Sequence, residues 1–327
     1  MEHTVDFDVS RESKGTWTGC VASTWQVGKL ASGGYVATLI LKCVRGELLA
    51  ASKEGPLPGQ KRAPNPHPDI LTCNAHFMAK TELAPFRVAV DILKSGGSTT
   101  TVSASFLQQG TERIRLMATC GNVAAASKKG PSLSGLGGDV GSMVRPSLPP
   151  LHACVRLDGG DNTPQSVRSR VHMFVPPSSA APYQDCRKTR PDGTYDEEML
   201  LKRTHAVQGG KGKASYSGYC VFEPNNMELS PQYEPTLFSS PLLLDAGIPP
   251  ILGAYVTGWV PTINWTVQFK QHPCPGALTF TFETSTVVGG FLEEDGKLWD
   301  SKGNLVAISR QLALVGVSQT SKTAAKL

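Results

Sequence analysis

Apolar residues recur along this chain with two periods, and each change of period marks a change of element. Val5, Phe7 and Val9 alternate over residues 5–9, as a half-buried strand does, and Thr16 to Ser23 predicts a second short strand. After Gly33-Gly34 the spacing lengthens, and Val36, Leu39, Ile40, Cys43 and Val44 predict a helix over Tyr35–Ala51. Ala37 and Leu41 make that helix apolar on more than one face, which suits an enclosed position. Residues 52–68, rich in Pro, Gly and Lys, predict a loop. Alternation then returns three times: Phe86 to Leu93 through Val88, Val90 and Ile92; Val102, Ala104 and Phe106; Ile114, Leu116, Ala118 and Cys120. Gly96-Gly97 and Gln108-Gln109-Gly110 punctuate these runs, so they predict an antiparallel meander.

The order then repeats. Val167–Val175 and Ser215–Phe222 predict strands, and Pro241 to Leu252 predicts a mostly apolar helix interrupted by Pro249 and Pro250. Ile263–Phe269, Leu278–Val288 and Leu305–Val315 predict further strands. Each half therefore reads strand, strand, apolar helix and then at least three strands, a structural repeat with little sequence identity. The predicted units are 1–123 and 166–317, joined by a linker over 124–165 rich in Ala, Ser, Gly and Pro. A polar loop near 184–213 is an insertion in the second unit, and its Gly-Gly-Lys-Gly-Lys lacks the spacing of a phosphate loop. Residues 318–327 form a polar tail.

Composition narrows the function classes. Apolar residues make up 40% of the 327, enough for a sizeable core, while charged residues make up 18% without long runs. The net charge of +5 fits ordinary surface variation, or attraction to an anionic ligand such as a phosphorylated cofactor. Lys and Arg are spread along the chain, which argues against nucleic acid. The eight cysteines show no Cys-x-x-Cys spacing, so neither a zinc site nor a redox motif is expected, and no metal is. The first residues lack a basic segment followed by an apolar one, so the expectation is no secretion and reduced thiols. No apolar run reaches the length of a membrane span.

Particular residues then add to the pattern. Leu298-Trp-Asp-Ser-Lys-Gly-Asn-Leu-Val-Ala leads through a short turn to Gln311. Leu242-Leu-Leu-Asp245 precedes paired prolines, and Pro261-Thr-Ile-Asn-Trp follows. In the first half, Gly33-Gly34-Tyr35 and the run from His67 to His76-Phe-Met stand in equivalent places. Together these segments resemble the acyl-CoA thioesterase II family and its thioesterase-like relatives, over roughly 5–123 and 165–316. The resemblance implies an α+β double hotdog, two curved antiparallel sheets each wrapped around a central helix. It implies hydrolysis of an acyl-CoA to free acid and CoA, with no cofactor beyond the CoA of the substrate. By position it implies Asp245, Thr262 and Gln311 as the catalytic set, and Gly33, Gly34, Tyr35 and His76 as substrate-binding residues.

The chemistry suits those side chains. A carboxylate within hydrogen-bond reach of water can accept its proton during attack on a thioester. Asp245 lies among Leu242, Leu243, Leu244 and Ile248, an apolar wall that would make it a better base, and burying a lone carboxylate merely for packing is expensive. Gln311 offers a carbonyl and an amide, and Thr262 a hydroxyl, to orient the water. Backbone N–H groups at the Gly33-Gly34 helix start are the expected oxyanion donors. Thr262 at a strand start is by itself an ordinary structural residue, and His76 by itself reads as a core histidine. Arg45, Lys80 and Arg310 are cations available to CoA phosphates, with nothing in the sequence to choose among them. No Gly-x-Ser-x-Gly elbow is present, which argues against an α/β-hydrolase. Two rivals share the fold: a tailoring enzyme that transfers, cyclises or dehydrates a CoA-linked natural-product intermediate, and a non-catalytic acyl-CoA-binding protein. Ala325-Lys326-Leu327 resembles a Ser-Lys-Leu signal, so the expected location is the peroxisome and the expected partner its import receptor. The fold is also compatible with a homo-oligomer.

Overall fold

A computed structural model describes residues 7–56, 63–125, 144–157, 167–180, 182–183, 214–222, 235–254 and 260–315. The predicted loop at 184–213 and the C-terminal tail lie outside these residues.

The first half opens with a hairpin of β1 (Val9–Ser13) and β2 (Thr16–Cys20), followed by the two-residue strands β3 (Gln26–Val27) and β4 (Leu30–Ala31). Helix α1 (Gly33–Glu54) starts two residues before the apolar period and ends three residues after it. Ser32 sets its start: the backbone is extended there and the hydroxyl accepts from the Tyr35 N–H at 3.4 Å. Tyr35, Val36, Leu39, Ile40, Leu41, Cys43 and Val44 are all fully buried, as the multi-sided apolar pattern predicts. Four long strands wrap this helix: β5 (Asp69–Phe77), β6 (Pro85–Ser95), β7 (Thr100–Gln108) and β8 (Thr111–Gly121). The β1–β2 hairpin is locked to α1 by buried Glu47. Its carboxylate accepts from Arg11 Nε at 2.9 Å, Arg11 Nη2 at 2.8 Å, Gly15 N at 3.0 Å and Trp17 Nε1 at 2.9 Å.

The second half supplies β9 (Val155–Arg156), β10 (Val171–Val175), β11 (Ser215–Phe222), helix α2 (Ser239–Asp245), β12 (Thr262–Phe269), β13 (Leu278–Glu283), β14 (Val287–Val288), β15 (Phe291–Trp299) and β16 (Leu305–Leu314). Helix α2 is shorter than its apolar run, because Gly247 and the Pro249-Pro250 pair stop it; a 3₁₀ turn, Pro250–Gly253, takes up the rest.

Several expectations need correction. The first described strand is Val9–Ser13; of the expected run 5–9, Phe7 and Asp8 are not strand, and residues 5 and 6 lie outside the described residues. Val167–Arg170 is a helical turn, so only Val171–Val175 is strand. Leu278–Val288 is broken into β13 and β14, and Phe291–Trp299 is a full strand of its own. Part of the expected linker, Val155–Arg156, pairs with β10 as an edge strand.

The sheets of the two halves meet edge to edge. Their strands join into one 14-stranded antiparallel sheet, ordered β1-β2-β6-β7-β8-β5-β12-β16-β15-β13-β11-β10-β9, with β14 attached to β15. The seam is β5 against β12, with Ala75 opposite Trp265 and Cys73 opposite Val267. On the seam's outer face the amides of Asn74 and Asn264 bond each other reciprocally, at 3.2 and 3.1 Å, and Asn74 also donates to Thr266 at 2.7 Å. Helices α1 and α2 pack against each other inside the sheet, and one hydrophobic core runs through both halves.

Candidate functional site

The site grows from the contact between α1 and α2. A Cβ on Gly34 would lie 2.4 Å from the Pro241 carbonyl oxygen and 2.6 Å from Asp245 Cβ, so only glycine allows the helices this close. Thr38 ties them further: its hydroxyl donates to the carbonyls of Gly34, at 2.9 Å, and Phe238, at 3.2 Å. The approach brings Asp245, at the last turn of α2, to the first turn of α1. Its Oδ2 accepts from the Ser32 hydroxyl at 2.8 Å and from the Gly34 N–H at 2.7 Å. A carboxylate is well suited to this place, because a helix start presents unpaired N–H groups and positive dipole. Asp245 is half-buried. The expected apolar wall is therefore corrected: leucines flank Asp245 in sequence, but donors hold its oxygen in space. The expected oxyanion role of Gly34 is corrected too, since its N–H is already given to Asp245.

A second pair forms on the sheet. Thr262 Oγ1 donates to Gln311 Oε1 at 2.9 Å, which leaves the Gln311 amide N–H groups to donate elsewhere. Strict alternation along β12 would set Thr262 on the outer face with Asn264 and Thr266. A bulge between Thr262 and Asn264 shifts the register, so that Thr262 lies opposite Ala313 while Asn264 lies opposite Leu312. One extra residue, Ile263, thus turns Thr262 inward beside Gln311.

Both pairs line one cavity of about 280 Å³, enclosed by Ser32, Gly33, Phe77, Asp245, Ala246, Val260, Thr262, Glu294 and Gln311, among others. Of the residues picked out from sequence, Asp245, Thr262, Gln311 and Gly33 meet there. Gly34 stands behind Asp245. Tyr35 does not reach the cavity: it is fully buried and its hydroxyl accepts from the Ala22 N–H at 3.2 Å. His76 is exposed on the outer face, its ring 3.3 Å from the Asn264 amide, so it is neither a core histidine nor a cavity residue. Among the three cations considered, Lys80 lies exposed along the cavity, Arg45 lies over the Phe238 ring at 5.3 Å, and Arg310 is paired with Asp295 at 2.6 Å.

Two cavity residues escaped the sequence reading. Ser32 carries a legible signal, a serine directly before a glycine pair and an apolar helix, which is an N-cap pattern. Glu294 carries one as well: Leu292, Gly296 and Leu298 share its strand face, and an acid among them stands out once Phe291–Trp299 is seen as a strand. Among the described residues no cysteine lines the cavity as a nucleophile. Burial pushes the thiols of Cys43, Cys73 and Cys120 up to about 12, and none lines the cavity. Among the described residues no cluster of His, Cys, Asp and Glu suits a metal ion, and no helix is long and apolar enough to cross a membrane.

Comparison with known proteins bears on the family and the fold. The family model of the acyl-CoA thioesterase N-terminal domain matches residues 21–121, and that of the C-terminal domain matches residues 177–315. A search of curated proteins finds no match. Among solved structures, a protein of Thermobifida fusca YX provisionally assigned as a thioesterase II is 22% identical with a TM-score of 0.69, covering 95% of this chain and 96% of its own. A hot dog fold protein of unknown function from Alicyclobacillus acidocaldarius is 16% identical with a TM-score of 0.66, covering 96% and 97%. The acyl-CoA thioesterase II TesB2 of Mycobacterium marinum is 15% identical with a TM-score of 0.61, covering 96% and 98%. At these identities the three structures bear on fold alone, and that fold is the hotdog.

Proposed function

Since the chain belongs to the acyl-CoA thioesterase family, whose members are thioester hydrolases, we propose that its cavity splits an acyl-CoA with a water molecule activated by Asp245 and oriented by Thr262 and Gln311. A helix and a set of antiparallel strands in each half support reading the chain as a hotdog doubled within one polypeptide.

The observation that carries the mechanism is convergence. Asp245 comes from α2, Thr262 from β12 and Gln311 from β16, yet all three line one cavity. The Asp245 carboxylate takes a proton from water as the water oxygen attacks the thioester carbonyl carbon. Gln311 is held by Thr262, so its amide presents to the water in a fixed orientation at little entropic cost. The tetrahedral oxyanion needs a donor, and Gly33 is the better candidate: as the first helical residue it has no intrahelical acceptor for its N–H, and it lines the cavity. Collapse of the intermediate breaks the C–S bond, and the proton held by Asp245 passes to the CoA thiolate. Lys80 stands where the anionic CoA would pass.

Thiol release from a panel of acyl-CoAs, followed with a dye for free CoA, tests this reading. We expect turnover by the wild type and a fall of about 10²- to 10⁴-fold in kcat for Asp245→Ala, the usual contribution of a general base. Release that survives the substitution unchanged would remove Asp245 from the mechanism; no release from any member would remove hydrolysis.

A further inference from the structure

The cavity wall holds a second carboxylate that the hydrolysis scheme leaves idle. Glu294 is only 5% exposed and lines the cavity. It shares the inward face of β15 with Leu292, Gly296 and Leu298. The rest of that face belongs to the core: Leu292 and Leu298 are fully buried, and a Cβ on Gly296 would lie 2.9 Å from Leu244 Cδ2. Glu294 alone interrupts the apolar row, at the place where the row meets the cavity. Its register partner across the sheet is Gln311. Directly opposed side chains on one sheet face have Cβ atoms about 5 Å apart, so if Gln311 orients the attacking water, the Glu294 carboxylate stands near the thioester carbonyl and the first few acyl carbons.

A carboxylate facing a space meant for hydrocarbon is a discriminating feature. A plain alkyl chain would cover its oxygens and add no hydrogen bond to them, and covering a carboxylate without adding a donor is unfavourable. An acyl group with its own donor would return one. A carboxylate has about four acceptor directions, so it can serve a protein donor and a ligand donor together. Resting on the hydrolase reading of this same cavity, we propose that Glu294 selects acyl groups bearing a hydrogen-bond donor, a hydroxyl or an amine, within the first few carbons of the thioester. The enzyme's substrates are then hydroxylated or aminated acyl-CoAs rather than simple fatty acyl-CoAs.

The test compares acyl-CoAs of equal chain length, unsubstituted or carrying a 2-hydroxyl, 3-hydroxyl or 3-amino group, by kcat/KM for thiol release. The wild type should favour a substituted member by about 10- to 100-fold, the range of a hydrogen bond to a charged group. Glu294→Leu should abolish or invert that preference, with Glu294→Gln intermediate because its amide oxygen still accepts. An equal preference in wild type and Glu294→Leu overturns the proposal. So does loss of turnover toward every member in Glu294→Gln, which would make Glu294 part of the proton transfer instead. Calorimetric binding of the same compounds to Asp245→Asn separates the two readings. Tighter binding of the substituted member without wild-type turnover would sink hydrolysis and leave the selection standing, whereas equal binding sinks the selection whatever the turnover. If the Leu variant fails to fold, the Gln variant carries the comparison.

Discussion

At Gly34 one missing side chain decides the site. The helix α1 N–H that reaches Asp245 does so because nothing stands between the backbones of α1 and α2. Gly34→Ala would push a methyl group into the Pro241 carbonyl and the Asp245 side chain. We expect about 1–3 kcal/mol of destabilisation from overpacking, read by urea denaturation, together with a fall in kcat as Asp245 shifts off its donors. A folded Gly34→Ala protein with wild-type kcat would show that the helix contact does not govern turnover through Asp245. Asp245, Gln311 and Thr262 were found in the sequence through a family resemblance, and each had a local rationale besides. What alternation could not show was direction. Strict alternation would place Thr262 on the outer face, and only the bulge at Ile263 turns it inward. Tyr35 and His76 fail to reach the cavity for the converse reason: adjacency to a glycine pair at the cavity, or a place on a neighbouring strand, says nothing about which way a side chain points.

Among the elements, the turn between β15 and β16 sets the register that puts Glu294 opposite Gln311. Asp300 organises it. Oδ1 accepts from the N–H groups of Lys302, at 3.0 Å, and Asn304, at 2.9 Å, while Oδ2 accepts from the Asn304 amide at 3.0 Å and the Cys274 N–H at 3.2 Å. Gly303 completes the turn with φ +85°. Burial works to raise the Asp300 carboxyl, but the donors from Asn304 and Cys274 outweigh it and hold the group below its ordinary value of 3.8. A carboxyl depressed in the folded state adds stability at pH above 3.8, and that stability is lost as the pH falls below this value through the folded one. Asp300→Ala is therefore expected to cost about 2 kcal/mol at neutral pH and to flatten the acid limb of stability below about pH 4. An acid limb identical to wild type, measured by denaturation across pH 2–6, would exclude Asp300 as its source. The turn was legible as Asp-Ser-Lys-Gly, and the resemblance implied a closing strand pair around it, but periodicity did not show β15, because its Glu-Glu-Asp-Gly-Lys centre hides an alternation that only Leu292 and Leu298 carry.

For the whole molecule, the consequential feature is that neither half owns the cavity. Asp245 from the second half is held by Ser32 and Gly34 from the first, and the sheet runs unbroken through β5 and β12. Residues 1–125 expressed alone would leave the β5 edge unpaired, a template for association, and α1 uncovered on its α2 side. We expect that fragment to self-associate in sedimentation and to release no thiol from any acyl-CoA, whereas the intact chain should unfold in a single cooperative transition. A monomeric, folded fragment would mean that the seam and the helix contact add little to the stability of the first half. By itself, the order of apolar periods determined the repeated strand–helix–strand architecture and the enclosure of α1, because alternation and helical spacing are local consequences of which faces avoid water, while the family came from the resemblance of particular segments such as Leu242–Asp245 and Leu298–Gln311. The tertiary structure alone decided that β5 and β12 are the strands that join the two halves, that Thr262 turns inward, that Asp245 meets a helix start rather than an apolar wall, and that Glu294 stands beside Gln311. Those facts depend on strand register and on the approach of segments about two hundred residues apart, such as Gly34 and Asp245, and local periodicity carries no information about either.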